Sequence, residues 1–295
     1  MRDLGQRIAN AGDTLTPTER RLAELVLSDP TAVAFGTVAD LAKRVETSGP
    51  SVVRFATKLD FDGYVGLQNH IRGRLTEQLR RPTDRIRRTS RVDTEIQPLS
   101  ASVTTMTNAL QDSLASTDSA TLTQMASRIA TTPGRVLVAC AQTSAAPGLL
   151  LADNLRLLRP GVIHPSGSTA MLSTEIADLD SDDSLIAIDF PRYESAVIAA
   201  AEFGRESGAT VLAVTDGPLS PLASLADVWT SVTIQAVGPF DSVVPAIALV
   251  ELLVAEVAVL LRTQATARLD RIEARWVVSK VFQDGLRSDR TQEIP

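Results

Sequence analysis

Residues 48–64 read SGPSVVRFATKLDFDGY, and the organisation of the first third of the chain turns on them. Ser48 is placed to cap a helix, with Gly49 and Pro50 in its first turn. Val52, Phe55, Ala56 and Leu59 follow at helical spacing and make an inner face. The outer face carries Pro50, Ser51, Arg54, Thr57 and Lys58, short hydroxyls among long cations. Just upstream, Thr37 can cap another short helix with Val38, Leu41, Ala42 and Val45 on one side. Two short helices separated by Glu46-Thr47-Ser48 fit a helix-turn-helix, whose second helix enters the major groove of duplex DNA. Hydroxyls and cations in that position suit base edges and phosphates. On spacing alone, the same residues also describe a solvated helix face.

Outward from this stretch the helical character continues. Thr16, Pro17 and Glu19 form a capping-box signature with a proline start, Leu22, Leu25 and Val26 hold an apolar face, and Asp29-Pro30 ends that helix. Gly63 to Leu79 reads as a further helix. From Arg80 to Ser100 the pattern fades into a basic segment, RRPTDRIRRTSR, poor in core residues and suited to a linker. Residues 101–130 read as helical again. Beyond Pro133-Gly134, the runs RVLVACA, LIAIDF, TVLAVTD and DVWTSVTI are short and β-rich, with helical segments such as Ala145 to Leu158 and Glu194 to Ser207 between them. Alternation at this spacing predicts a parallel sheet covered on both faces. The fold expected is an all-α helix-turn-helix domain (1–80), a basic linker (81–100) and a doubly wound parallel α/β domain (101–285).

Composition agrees with two globular domains, since 295 residues with 44% hydrophobic content exceed one small core. The single cysteine excludes a disulfide framework and fits a reducing, cytoplasmic setting. The net charge of −6 hides an asymmetry: residues 1–91 carry 16 Lys+Arg against 11 Asp+Glu, and the remainder 13 against 24. Halves of opposite charge suit different partners. The most apolar run, Val243 to Leu261, contains Glu251 and Glu256 and reads as a buried core or subunit-packing helix, not a membrane span. His70 and His164 are the only histidines and fall in different domains, so no metal or acid–base pair is expected from them. No Gly-x-Gly-x-x-Gly spacing marks a dinucleotide, and no cofactor is expected. Cys140, ending an expected strand, reads as a small buried hydrophobe.

In a parallel sheet, ligands sit outside the carboxyl ends of the strands. The loops predicted there hold Gln142, Thr143 and Ser144; Ser168 and Thr169; Asp189, Arg192 and Tyr193; and Thr215-Asp216. Arg192 offers a planar fork suited to phosphate or carboxylate. Asp189 can accept a hydroxyl or amine. Helix capping explains the Ser and Thr positions equally well, and an ion pair with Glu194 explains Arg192.

LTPTERRLAELVLSDPTAVAFGTVADLAKRVETSGPSVVRFATKLDFDGY, residues 15–64, resembles the N-terminal domain of the RpiR/MurR family of bacterial transcriptional regulators, and VVRFATKLDF resembles its recognition helix and following turn. Where that family usually carries a small residue or glycine in the turn, and glycine before the final phenylalanine, this chain has Glu46 and Asp60. Residues 135–261, most closely TDGPLSPLASLADV, resemble the sugar isomerase (SIS) domain that follows in the family. Here CAQTS stands for the glycine-rich first loop and DFPRYES for a Ser-x-Ser-Gly-x-Thr loop, and FPRY resembles one branch of the family. The resemblance implies a ligand-responsive regulator, a homodimer or higher oligomer on an operator. It places Ser48, Pro50, Ser51, Arg54, Thr57 and Lys58 on DNA. Gln142, Thr143, Ser144, Ser168, Thr169, Asp189, Arg192 and Tyr193 then face a sugar phosphate or related anionic carbohydrate. A sugar-phosphate isomerase, or a SIS domain kept only for dimerisation, are the alternatives.

Overall fold

The computed structural model describes residues 4–79, 81–92, 99–165 and 169–282. Its first part is built of six helices: α1 (Leu4–Ala11), α2 (Pro17–Ser28), α3 (Pro30–Phe35), α4 (Val38–Arg44), α5 (Gly49–Lys58) and α6 (Gly63–Leu79). The capping box expected at Thr16 forms, and the cap expected at Thr37 proves to be a second box. Glu19 Oε2 accepts the Thr16 amide at 2.8 Å, and Asp40 Oδ2 accepts the Thr37 amide at 2.8 Å. Asp29 does more than end α2: its carboxylate accepts the Ala32 amide at 2.9 Å and starts α3, a helix the sequence reading passed over. Ser48 occupies the N-cap of α5 in extended conformation, but its hydroxyl caps no amide and lies 3.0 Å from Ser51 Oγ.

Leu22, Val26, Leu41, Val52, Phe55, Leu67 and Ile71 are fully or almost fully buried and fuse these helices into one core. Each such side chain contributes about 1.5–3 kcal/mol of burial. Where α3 stops, Tyr64 Oη and Gln68 Nε2 reach the carbonyls of Val33 and Gly36 at 2.8–3.1 Å, which satisfies the helix end. Glu46 and Asp60 take left-handed backbone, φ 54° and 62°. These are the two positions where glycine was the expected residue, so the turn geometry is kept at a conformational cost. Glu46→Gly should therefore stabilise the chain by about 0.5–1 kcal/mol, seen as a raised thermal midpoint; an unchanged or lowered midpoint contradicts this.

Three helices follow: α7 (Pro82–Val92), within the segment read as linker, then α8 (Leu99–Ser116) and α9 (Ser119–Thr131). Strands β1 (Val136–Cys140), β2 (Val162–Ile163), β3 (Ser184–Ile188), β4 (Thr210–Thr215) and β5 (Val228–Ser231) form one parallel sheet in the order β2-β1-β3-β4-β5. The pleat sorts the side chains. Val136, Val138, Ile186, Ile188, Leu212 and Val214 enter one core, while Leu137, Ala139, Leu185, Ala187, Val211 and Ala213 enter the other. The sheet is covered by α10 (Ala145–Leu158), α11 (Thr169–Ile176), α12 (Ser195–Glu206), α13 (Pro221–Leu225) and α14 (Val244–Leu260). A hairpin of β6 (Ala236–Val237) and β7 (Phe240–Asp241), and a last helix α15 (Arg262–Ser279), were not read from sequence.

Ala246, Leu249, Val250, Leu253 and Val257 bury one stripe of α14 in the first core, while Leu252, Val259 and Leu260 stay exposed. No single described helix is long and apolar enough to cross a membrane, and α14 and α15 meet at 102°. Arg159, at the end of α10, is buried without a carboxylate partner among the described residues. Its guanidinium donates to Ile129 O, to Thr132 O at 3.0 Å and to Gly134 O at 2.8 Å, and Nε donates to Pro160 O at 3.2 Å. Burial lowers its pKa, but the charge complements the carbonyl end of α9.

Candidate functional site

Two surfaces carry chemistry. The first is the outer face of α5. Pro50, Val53, Arg54, Thr57 and Lys58 are exposed, and Ser51 is half-buried beside them. Pro50, Val53, Arg54 and Thr57 follow one another at i, i+3, i+4 and i+7, so they share a stripe. Val53 was missed by the sequence reading, which reserved apolar residues for the core, yet it is 39% exposed on this stripe. Arg54 Nη2 donates to Ser51 Oγ at 3.1 Å and Thr57 Oγ1 to Val53 O at 3.1 Å, contacts that exposed groups exchange readily for a ligand.

Lys58 is differently placed. Its Nζ lies 2.9 Å from Glu19 Oε2 and 2.6 Å from Thr14 O, which ties the end of α5 to the start of α2. Burial opposes the Glu19 charge, but the hydrogen bonds from Lys58 and Thr16 outweigh it and lower the Glu19 pKa. The cation expected to meet phosphate is thus engaged within the protein. From α1, Arg7 Nη1 donates to Leu59 O and Asp60 O, both at 2.8 Å, and its guanidinium lies 4.4 Å from the Phe61 ring centre. The C-terminus of α5 is therefore held by α1.

The second surface is the carboxyl edge of the sheet. The strand order reverses between β1 and β3, and ligands favour the crevice at such a switch. From β1, Gln142 and Thr143 are exposed in a short 3₁₀ turn. Ser144 is fully buried and its hydroxyl donates to Ile188 O at 2.7 Å, so it joins β1 to β3 and does not face the crevice. From β3, Asp189 is also fully buried. Its Oδ1 accepts the Phe190 amide at 2.8 Å and its Oδ2 the Glu194 amide at 2.7 Å, so it shapes its own loop. Burial pushes the Asp189 pKa up to about 6, against the pull of those two amides.

Arg192 is exposed at φ 78°, with no ion pair to Glu194 or to any other described carboxylate. The Glu194 carboxylate instead accepts the Gln142 amide at 2.8 Å across the crevice. The Tyr193 hydroxyl donates to Asp216 at the end of β4. Thr169 is exposed at the first position of α11, and Ser168 lies outside the described residues. Glu194 and Asp216 thus belong to the edge, although neither was counted as a contact residue from sequence. Their roles depend on partners 52 and 23 residues away.

Other chemistry is muted. Burial, then the charges of Asp189 and Glu194, push the Cys140 thiol up to about 11, away from a nucleophilic thiolate. A Cβ on Gly148 would come within 2.5 Å of Cys140 Sγ, so the close approach of α10 to β1 requires that glycine. His164 Nδ1 lies 2.9 Å from Val138 O. Among the described residues no group of three or more His, Cys, Asp or Glu is placed to hold a metal ion.

Comparison with known proteins agrees with this architecture. The model of the helix-turn-helix domain of the rpiR family matches residues 3–78, and that of the SIS domain matches residues 130–256. A crystal structure of the sugar isomerase domain of an RpiR transcription factor from Sphaerobacter thermophilus is 29% identical, with a TM-score of 0.55 over 61% of this chain and 99% of that one. The Vibrio vulnificus NanR protein, in complex with ManNAc-6P, is 20% identical, with a TM-score of 0.54 over 96% of this chain and all of that one. An uncharacterized HTH-type transcriptional regulator from Caldanaerobacter subterraneus is 24% identical over 228 residues, 77% of this chain and 79% of its own length. With the helix-turn-helix and the parallel α/β domain joined in this order, the chain belongs to the RpiR family of transcriptional regulators.

Proposed function

We propose that α5 reads a duplex operator, and that a sugar phosphate or related anionic carbohydrate binding at the β1/β3 crevice changes the affinity for that operator. The observation that carries this reading is the exposed stripe of Pro50, Val53, Arg54 and Thr57 on a helix whose opposite face, Val52, Phe55 and Ala56, is buried in its domain. A helix of three turns spans few base pairs, so a homodimer on a two-fold site supplies the specificity. The exposed apolar residues Leu149 on α10 and Leu252, Val259 and Leu260 on α14 suit its interface. A cytoplasmic location accords with the single, protonated thiol.

Catalysis of isomerisation would need a base free to face its substrate. Both Asp189 oxygens accept loop amides, Glu194 accepts the Gln142 amide and His164 Nδ1 contacts Val138 O, which favours a sensor over an enzyme. The sugar-phosphate assignment draws support from the ManNAc-6P carried by Vibrio vulnificus NanR. At the edge itself, Arg192 is the cation available to an anion, whereas Asp189, Glu194 and Asp216 are carboxylates.

A thermal-shift screen of sugar phosphates, sugar acids and neutral sugars tests this on wild type and Arg192→Lys. Lysine keeps the charge and loses the bidentate fork. An anionic sugar at about 100 times its Kd should stabilise the wild type by about 2.7 kcal/mol, and the variant less. A neutral sugar that stabilises both equally, with no effect from any anion, overturns the assignment.

A further inference from the structure

The loop that closes β4, Thr215 to Ser220, is buried at every position although it leaves the ligand-facing edge of the sheet. Part of what covers it is the DNA-binding domain. Leu219 is 8% exposed and belongs to the apolar cluster of the helical domain, with Leu4 and Ala11 of α1, not to either core of the α/β domain. The other end of the same loop is tied to the crevice. Asp216 accepts the Tyr193 hydroxyl, and Thr215 Oγ1 lies 2.9 Å from Asp189 O and 2.6 Å from Ser220 Oγ. On the far side, Arg7 of α1 holds the carbonyls just past the recognition helix, Leu59 O and Asp60 O.

We propose that the β4 loop and α1 form the link by which the effector crevice controls the recognition helix within one chain, with Tyr193–Asp216 as its input and Arg7 as its output. The reading rests on the regulator function proposed above. A ligand that engages Tyr193 competes for the hydroxyl bonded to Asp216 and so loosens the loop that seats Leu219. If Leu219 shifts, the apolar cluster it shares with Leu4 and Ala11 of α1 loosens, and Arg7 no longer fixes the end of α5. A short loop packed into two domains can pass on a small displacement, because packed cores resist gradual deformation. A separate tie, Arg85 of α7 to Asp241 of β7 at 2.8 Å, holds the helix that follows the DNA-binding domain to the α/β domain, away from the crevice.

Hydrogen–deuterium exchange on the full chain tests this with neither DNA nor sugar present, so its outcome is independent of whether the regulator reading holds. Leu219→Ala should accelerate exchange roughly tenfold in residues 4–11 and 58–61 as well as in 211–225. Tyr193→Phe, which removes only a hydroxyl, should accelerate the same distant segments about threefold. Arg7→Ala should accelerate 58–61 and leave 211–225 unchanged. Ile129→Val, a small cavity in the main α/β core, serves as control and should leave 4–11 and 58–61 as in wild type. Acceleration confined to 211–225 in both Leu219→Ala and Tyr193→Phe, or distant acceleration matched by the Ile129→Val control, overturns the proposal.

Discussion

Arg159→Ala should lower the unfolding free energy of the α/β domain by about 3 kcal/mol. The wild-type guanidinium serves four carbonyls, those of Ile129, Thr132, Gly134 and Pro160, at the junction of α9, α10 and β1. Alanine leaves those acceptors with no protein donor from this side chain, and unsatisfied buried groups carry most of the penalty. The lost packing of the arginine stem adds to it. Arg159→Lys should recover only part, because three donors on one nitrogen cannot span carbonyls spread around a fork. Both tryptophans, Trp229 and Trp276, lie in this half of the chain, so denaturant unfolding followed by their fluorescence reports on it. A loss below about 1 kcal/mol would mean that water replaces the guanidinium at little cost.

Arg54→Ala should weaken binding to the preferred duplex by about 1–3 kcal/mol, roughly 5- to 150-fold, and flatten the preference at one base pair. Arg54 is exposed at the centre of the α5 stripe, with only the Ser51 hydroxyl as its partner among the described residues. Lys58→Ala should behave otherwise. Its ammonium is spent on Glu19 and Thr14 O, so the variant should lose about 1 kcal/mol of helical-domain stability. The salt dependence of DNA binding should keep its slope, whereas loss of a phosphate contact would flatten it by about one unit. Titrations of both variants at several salt concentrations separate the two roles. An unchanged affinity in Arg54→Ala would return α5 to a solvated face.

Long periodic elements were legible because burial and spacing are local. The capping box at Thr16, the cap at Thr37, the helix over Gly63–Leu79 and the helix over Ala145–Leu158 needed nothing beyond their own residues. What failed was short or distant. Pro30 reads as a stop, yet Asp29 turns it into the start of α3. Strands β6 and β7 have two residues each, too few to show alternation. In the crevice the side-chain orientation was not legible. Ser144 and Asp189 turn their polar atoms toward Ile188 O and the amides of Phe190 and Glu194, which a sequence cannot distinguish from facing a ligand. Lys58 met its partner Glu19 39 residues away, and Leu219 found its core in the other domain.

DNA reading and carbohydrate sensing meet in one chain. Fluorescence anisotropy tests this coupling on a duplex that the intact two-domain chain selects from a random pool. The titration is run with and without the sugar phosphate that stabilises the protein best. The expected result is an enriched duplex of two-fold symmetric sequence, and a change in its affinity of about tenfold or more, the usual scale of coupling between two sites. A pool that yields no enriched duplex, or an enriched duplex whose affinity no stabilising sugar phosphate alters, would contradict it.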